Sequence, residues 1–226
     1  MNQHTVKAFD ADIGELRGLI SEMGGLAEDA IARAMLALQR GDHRLAAEVA
    51  RDDARIDALE RQVESLAVRV IALRAPLAND LREVVAVLKI AGVVERIGDY
   101  AKNIARRVPL VDGDDRIEPV SVLPAMGRMA AAQVRDALDA FAARDPEGAR
   151  RVCEGDAALD DFYDSIFRVL VTFMVENPRT ISQVAHLLFV AKNLERIGDH
   201  AGNVAEMVYY AATGSQLKSP ATDGEK

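Results

Sequence analysis

One pattern is written twice in this chain. Residues 93–106 read VVERIGDYAKNIAR, and residues 193–206, one hundred positions later, read NLERIGDHAGNVAE. In both copies apolar residues step by three and four: Val94, Ile97, Ala101 and Ile104, then Leu194, Ile197, Ala201 and Val204. That spacing lines one face of an α-helix. A long repeat in constant phase restricts the fold to two equivalent helical halves.

The same stepping runs through the rest of the chain. Phe9, Ile13, Leu16, Ile20, Met23, Ala27 and Ala30 mark a first helix, which Gly41-Asp42 interrupts. Val49, Ile56, Leu59, Val63, Leu66, Val70 and Leu73 mark a second, ending near Pro76, and Val87, Ile90, Val94 and their successors to Val108 mark a third. The stretch PLVDGDDRIEP (109–119) has no apolar period and reads as a linker. Beyond it come a helix over about 120–143, the turn ARDPEG, a seam of Val152, Leu159, Phe162, Ile166, Val169 and Phe173, and a last seam from Leu187 to Val208. Residues 213–226 read as a polar tail. The expectation is an all-α fold of two tandem pseudo-symmetric three-helix bundles, residues 1–108 and 120–212, with short turns that make neighbouring helices antiparallel.

Composition agrees. Half of the residues are apolar while only 4% are aromatic, a make-up of long helices rather than sheets. The formal net charge of −8 argues against a nucleic-acid partner. A single cysteine, Cys153, excludes an internal disulfide framework and suits a reducing compartment. The first residues hold no apolar run of a signal peptide, and no stretch is long and apolar enough to span a bilayer, so a cytoplasmic location is expected.

The chemistry lies in the carboxylates. Glu95 and Asp99 stand one helical turn apart, as do Glu195 and Asp199, and the middle helices carry Asp53 with Asp57 and Asp156 with Asp160. Like charges at that spacing repel by a few tenths of a kcal/mol per pair. Measured from the apolar seams, all four pairs fall on outward flanks. Four acids per half then face one surface patch if the two helices are neighbours. An all-oxygen set suits a hard cation such as Mg, Mn, Ca or ferric iron, with Asn103 and Asn203 as further oxygens. A solvated acidic face, with weak pairs from Arg96 to Asp99 and from Lys192 to Glu195, is the competing reading. His200 reads as a surface histidine, because its counterpart is Tyr100, and Cys153, beside the seam residue Val152, as a small buried residue rather than a nucleophile. A carboxylate-based metal store or di-iron bundle is the alternative function. It lacks the inward Glu-x-x-His motifs of that class, and no phosphate loop or nucleophile motif supports an enzyme.

The paired ERIGD motifs, AEDAIARAMLAL after Met23-Gly24, PLANDLREVVAVLKI (76–90) and NPRTI before the last helix together resemble the PhoU family of phosphate-signalling accessory proteins over nearly the whole chain. The resemblance implies two pseudo-symmetric three-helix bundles, no catalytic activity and a cytoplasmic regulator. It further implies coupling between the phosphate ABC transporter and the sensor histidine kinase PhoR, with contacts to that kinase and to the transporter ATPase PstB. The membrane would be reached only through these partners. A homodimer is expected. Metals on paired acidic motifs in some relatives map onto Asp53, Asp57, Glu95, Asp99, Asp156, Asp160, Glu195 and Asp199.

Overall fold

The computed structural model describes residues 2–111 and 121–217, with side chains from residue 8 onward. Among the described residues there are helices and turns and no strand. The first half comprises α1 (Asn2–Arg40), α2 (His43–Asp52), α3 (Ala54–Arg74), α4 (Asn79–Ala105) and a single turn, α5 (Val108–Val111). The second comprises α6 (Leu123–Ala143), α7 (Pro146–Glu154), α8 (Asp156–Glu176), a 3₁₀ turn at Pro178–Thr180 and α9 (Ile181–Thr213). The expected linker therefore opens with a helical turn. Its remainder from residue 112, and the tail from residue 218, lie outside the described residues.

The turn chemistry is the same in both halves. α1 ends at Gly41, whose φ of 64° is left-handed, and the Asp42 amide donates back to the Ala37 carbonyl at 2.9 Å. Asp42 then caps α2 by accepting the Leu45 amide at 2.9 Å. At the end of α6, Arg144 takes φ 51°, the Asp145 amide donates to the Ala140 carbonyl, and Asp145 accepts the Glu147 amide. Each short helix stops after a few turns, at Asp53 and at Gly155, where the pattern predicts one continuous middle helix per half. The break is silent in the apolar pattern because Asp53 keeps right-handed helical dihedrals and both Val49 and Ile56 stay buried. The second middle seam is also shifted. Val169 is exposed and Leu170 takes its core position, while Leu73 lies outside the core at the end of α3.

The halves share one core. α1, α4, α9 and α6 pack around it in a ring, with α3 against α1 and α4, and α8 against α9. Matched contacts show the pseudo-twofold relation. A Cβ at Gly24 of α1 would collide with Leu138 of α6, and one at Gly127 of α6 would lie 2.7 Å from Met35 Cγ of α1. Gly24 and Gly127, and likewise Met35 and Leu138, occupy equivalent positions, so the contact is reciprocal as in a twofold interface. Where α4 meets α9, the equivalent residues Tyr100 and His200 stack edge to face at 5.1 Å.

Candidate functional site

Close packing of α3 on α4, and of α8 on α9, sets the position of the acids. A Cβ at Gly98 would lie 2.7 Å from Ile56 Cδ1 and 3.2 Å from Asp53 Oδ1; at Gly198 it would collide with Leu159. Glycine in the middle of each ERIGD motif thus lets the seam residue of the facing helix reach the backbone, and the acids of both helices line the groove beside it.

In the first half the outward reading fails for Asp53, which is 6% exposed. Placed at the break between α2 and α3, it turns toward α4 and accepts the Lys102 ammonium at 2.5 Å. The same ammonium donates to Asp99, so Asp99 takes Lys102 as its partner and not Arg96. Burial pushes the Asp53 carboxyl up, and the Lys102 contact draws it back. Asp57, Glu60 and Glu95 lie outside this bridge. Burial first, then Asp99, Glu60, Asp57 and Asp53, raise Glu95 to about 7. Burial and the negative charges of Glu64 and Asp57 raise Glu60 as well.

In the second half Asp160, Glu195 and Asp199 each offer an oxygen, all within 4.8 Å of one another; among the described residues this is the group with the spacing to hold a metal ion. Asp156 completes the set of four acids. Burial and its neighbours Asp160, Asp199 and Glu195 raise its carboxyl to about 6. Asp160 and Asp199 are raised by the same two causes. Lys192 donates to Glu195 Oε1 at 2.5 Å, the pair anticipated from spacing, while Oε2 of Glu195 is buried without a hydrogen-bond partner. A cavity of ≈ 280 Å³ opens beside Asp156 and Asp199, lined also by Cys153, Gly202 and Asn203. The bridging role of Lys102, and Gln133, whose Oε1 is likewise buried and unpaired, escaped the sequence reading. The signal available was the exchange of Lys102 for Gly202 between the copies.

His200 is not part of the acidic set: its Nδ1 lies 2.8 Å from the Arg196 carbonyl and its ring faces Tyr100. Cys153 donates weakly to the Gly202 carbonyl at 3.7 Å, and burial beside Glu206, Asp156 and Glu154 pushes its thiol up to about 11, so it is protonated at neutral pH.

A family model described as PhoU domain matches the sequence twice, over residues 20–108 and 123–208. The chain belongs to the PhoU family. A phosphate-specific transport system accessory protein PhoU homologue of Zymomonas mobilis is 56% identical over 214 residues, covering 95% of this chain and 90% of its own length. The homologue of Rhizobium meliloti is 45% identical, covering 94% and 90%. Among solved structures, PhoU from Pseudomonas aeruginosa superposes with a TM-score of 0.87 at 38% identity, covering 92% of this chain and 100% of its own. The phosphate transport system regulatory protein PhoU from Streptococcus pneumoniae gives 0.87 at 26% identity, covering 93% and 99%. Among the described residues of this PhoU-family chain, no helix is long and apolar enough to cross a membrane.

Proposed function

We propose that this chain is a non-enzymatic negative regulator of phosphate uptake and phosphate-starvation signalling, coupling a phosphate ABC transporter to a PhoR-type sensor histidine kinase at the cytoplasmic face of the membrane. The observation that carries the reading is the PhoU-domain match to both halves, together with relatives that are accessory proteins of the phosphate-specific transport system over almost the full length. The PstB-type ATPase and the kinase are its proposed partners, and a homodimer its proposed form.

A hard cation such as Mn, Mg or ferric iron belongs to the same proposal. The second half fits it: Asp160, Glu195 and Asp199 would hold the ion, with Asp156 and Asn203 beside them. A bound ion would supply positive charge that turns the repulsion among these acids into attraction and ties α8 to α9. The first half does not fit it, because the Lys102 ammonium already lies between Asp53 and Asp99.

The test of the regulatory reading is a pull-down with tagged chain against a purified PstB-type ATPase and the cytoplasmic part of a PhoR-type kinase. Retention of at least one of them is expected. Retention of neither, with Mn²⁺ present and at both low and high phosphate, overturns the reading.

A further inference from the structure

We infer that Lys102 is a built-in counter-ion that stands in for a bound cation in the first half, so that cation binding by this chain is confined to the second. The inference rests on the cation reading above for the second half only. Its ground is a reciprocal exchange between the copies. Lys102 on α4 matches Gly202 on α9, and Gly92 on α4 matches Lys192 on α9. Each acidic stripe therefore carries one lysine, but at opposite ends and in different surroundings.

Lys102 is 17% exposed and bridges two helices, holding Asp53 of the α2–α3 junction and Asp99 of α4. An ammonium aimed at those oxygens competes directly with a metal ion for them, and it is tethered where a metal would have to be recruited. Among the described residues, the first-half acids show no group of three with oxygens as close as those of the second half.

Lys192 is placed differently. It is 42% exposed, donates to Oε1 of Glu195 on its own helix, and lies 5.2 Å from the centre of the Tyr163 ring of α8, acting on Asp160 and Asp199 through its charge without a hydrogen bond to either. The other oxygen of Glu195 stays unpaired in the interior, and three acids still converge within 4.8 Å. Where Lys102 would have its counterpart, Gly202 leaves the ≈ 280 Å³ cavity, and a Cβ there would stand 4.0 Å from Asp156 Oδ2. The second half thus has the acids, the space and, among the described residues, no ammonium hydrogen-bonded to acids of both helices as Lys102 is. Duplication gave both halves one acidic frame, and a single lysine closed one of them.

Swapping the two positions tests this. Mn²⁺ is titrated calorimetrically into the full chain as wild type, Lys102→Gly, Gly202→Lys, and Asp160→Asn with Asp199→Asn. The wild type is expected to bind at the second half alone, so the double Asn variant loses binding. Lys102→Gly is expected to add a second binding event that survives in the double Asn background, and Gly202→Lys to weaken the wild-type event at least about tenfold. Unchanged stoichiometry in Lys102→Gly, or wild-type binding that disappears with Asp53→Asn and Asp99→Asn, overturns the inference. If no variant binds Mn²⁺, the cation reading of the second half falls by itself. The lysine is then judged by thermal unfolding in chelator: Lys102→Met must lower the midpoint in the wild-type background and leave it unchanged in the Asp53→Asn, Asp99→Asn background. Equal loss in both backgrounds overturns the counter-ion role.

Discussion

Glu95 carries the electrostatic cost of the acidic stripe most plainly. Its folded-state pKa of about 7 lies above its ordinary 4.5, from burial and four neighbouring carboxylates. Between those values the folded chain keeps a proton that the unfolded chain has released, so stability is full below about pH 4.5 and is lost as pH rises through 7. Asp156, raised to about 6, acts in the same direction. His186 and His200, held below their usual value by burial, act against it. The expected outcome in chelator is that Glu95→Gln flattens the decline in urea midpoint between pH 5 and pH 8 relative to wild type; an unchanged slope contradicts the charge distribution described above. At this scale the sequence was only half legible. The acids and their pairing were visible from spacing, but the inward turn of Asp53 and its bond to Lys102 join residues 49 apart. A helix wheel drawn about one seam assigns each side chain to core or solvent. It has no place for the groove between two helices, where these acids lie.

The elements were more legible, since apolar stepping and the turn residues Gly41-Asp42 and Asp145-Pro146 speak for themselves. The interruption at Asp53 was not, because no proline or glycine stands there and the seam stays in phase across it. Asp42 and Asp145 perform the same capping task one hundred and three positions apart. Asp42→Ala should cost about 1 kcal/mol in urea unfolding, Asp145→Ala should also lower the urea midpoint, and their effects should add, because the two caps share no partner. An unchanged urea midpoint for either variant would mean that the cap does not hold that helix.

For the whole molecule the two halves act as one body with a common core, and their interface is self-complementary. Gly24 and Gly127 make equivalent close approaches to Leu138 and Met35 across it. Adding a methyl at either position overpacks the contact, with an expected cost of about 1–3 kcal/mol. Gly127→Ala should sit at the lower end, because Met35 is flexible and can yield. Two equal and negligible effects would show that the halves do not meet through these glycines. The duplication was legible in full from the repeat, but the way the copies join was not. Seams describe which face is apolar, and leave open whether that face meets its own bundle or the other half.

The central claim, that this chain represses phosphate-starvation genes, is tested most directly with a starvation-promoter reporter in cells lacking the protein. At high phosphate, wild-type chain is expected to restore repression, and Asp160→Asn with Asp199→Asn to restore it less well at equal protein level. Reporter output at high phosphate that is the same with and without the wild-type chain would contradict the account.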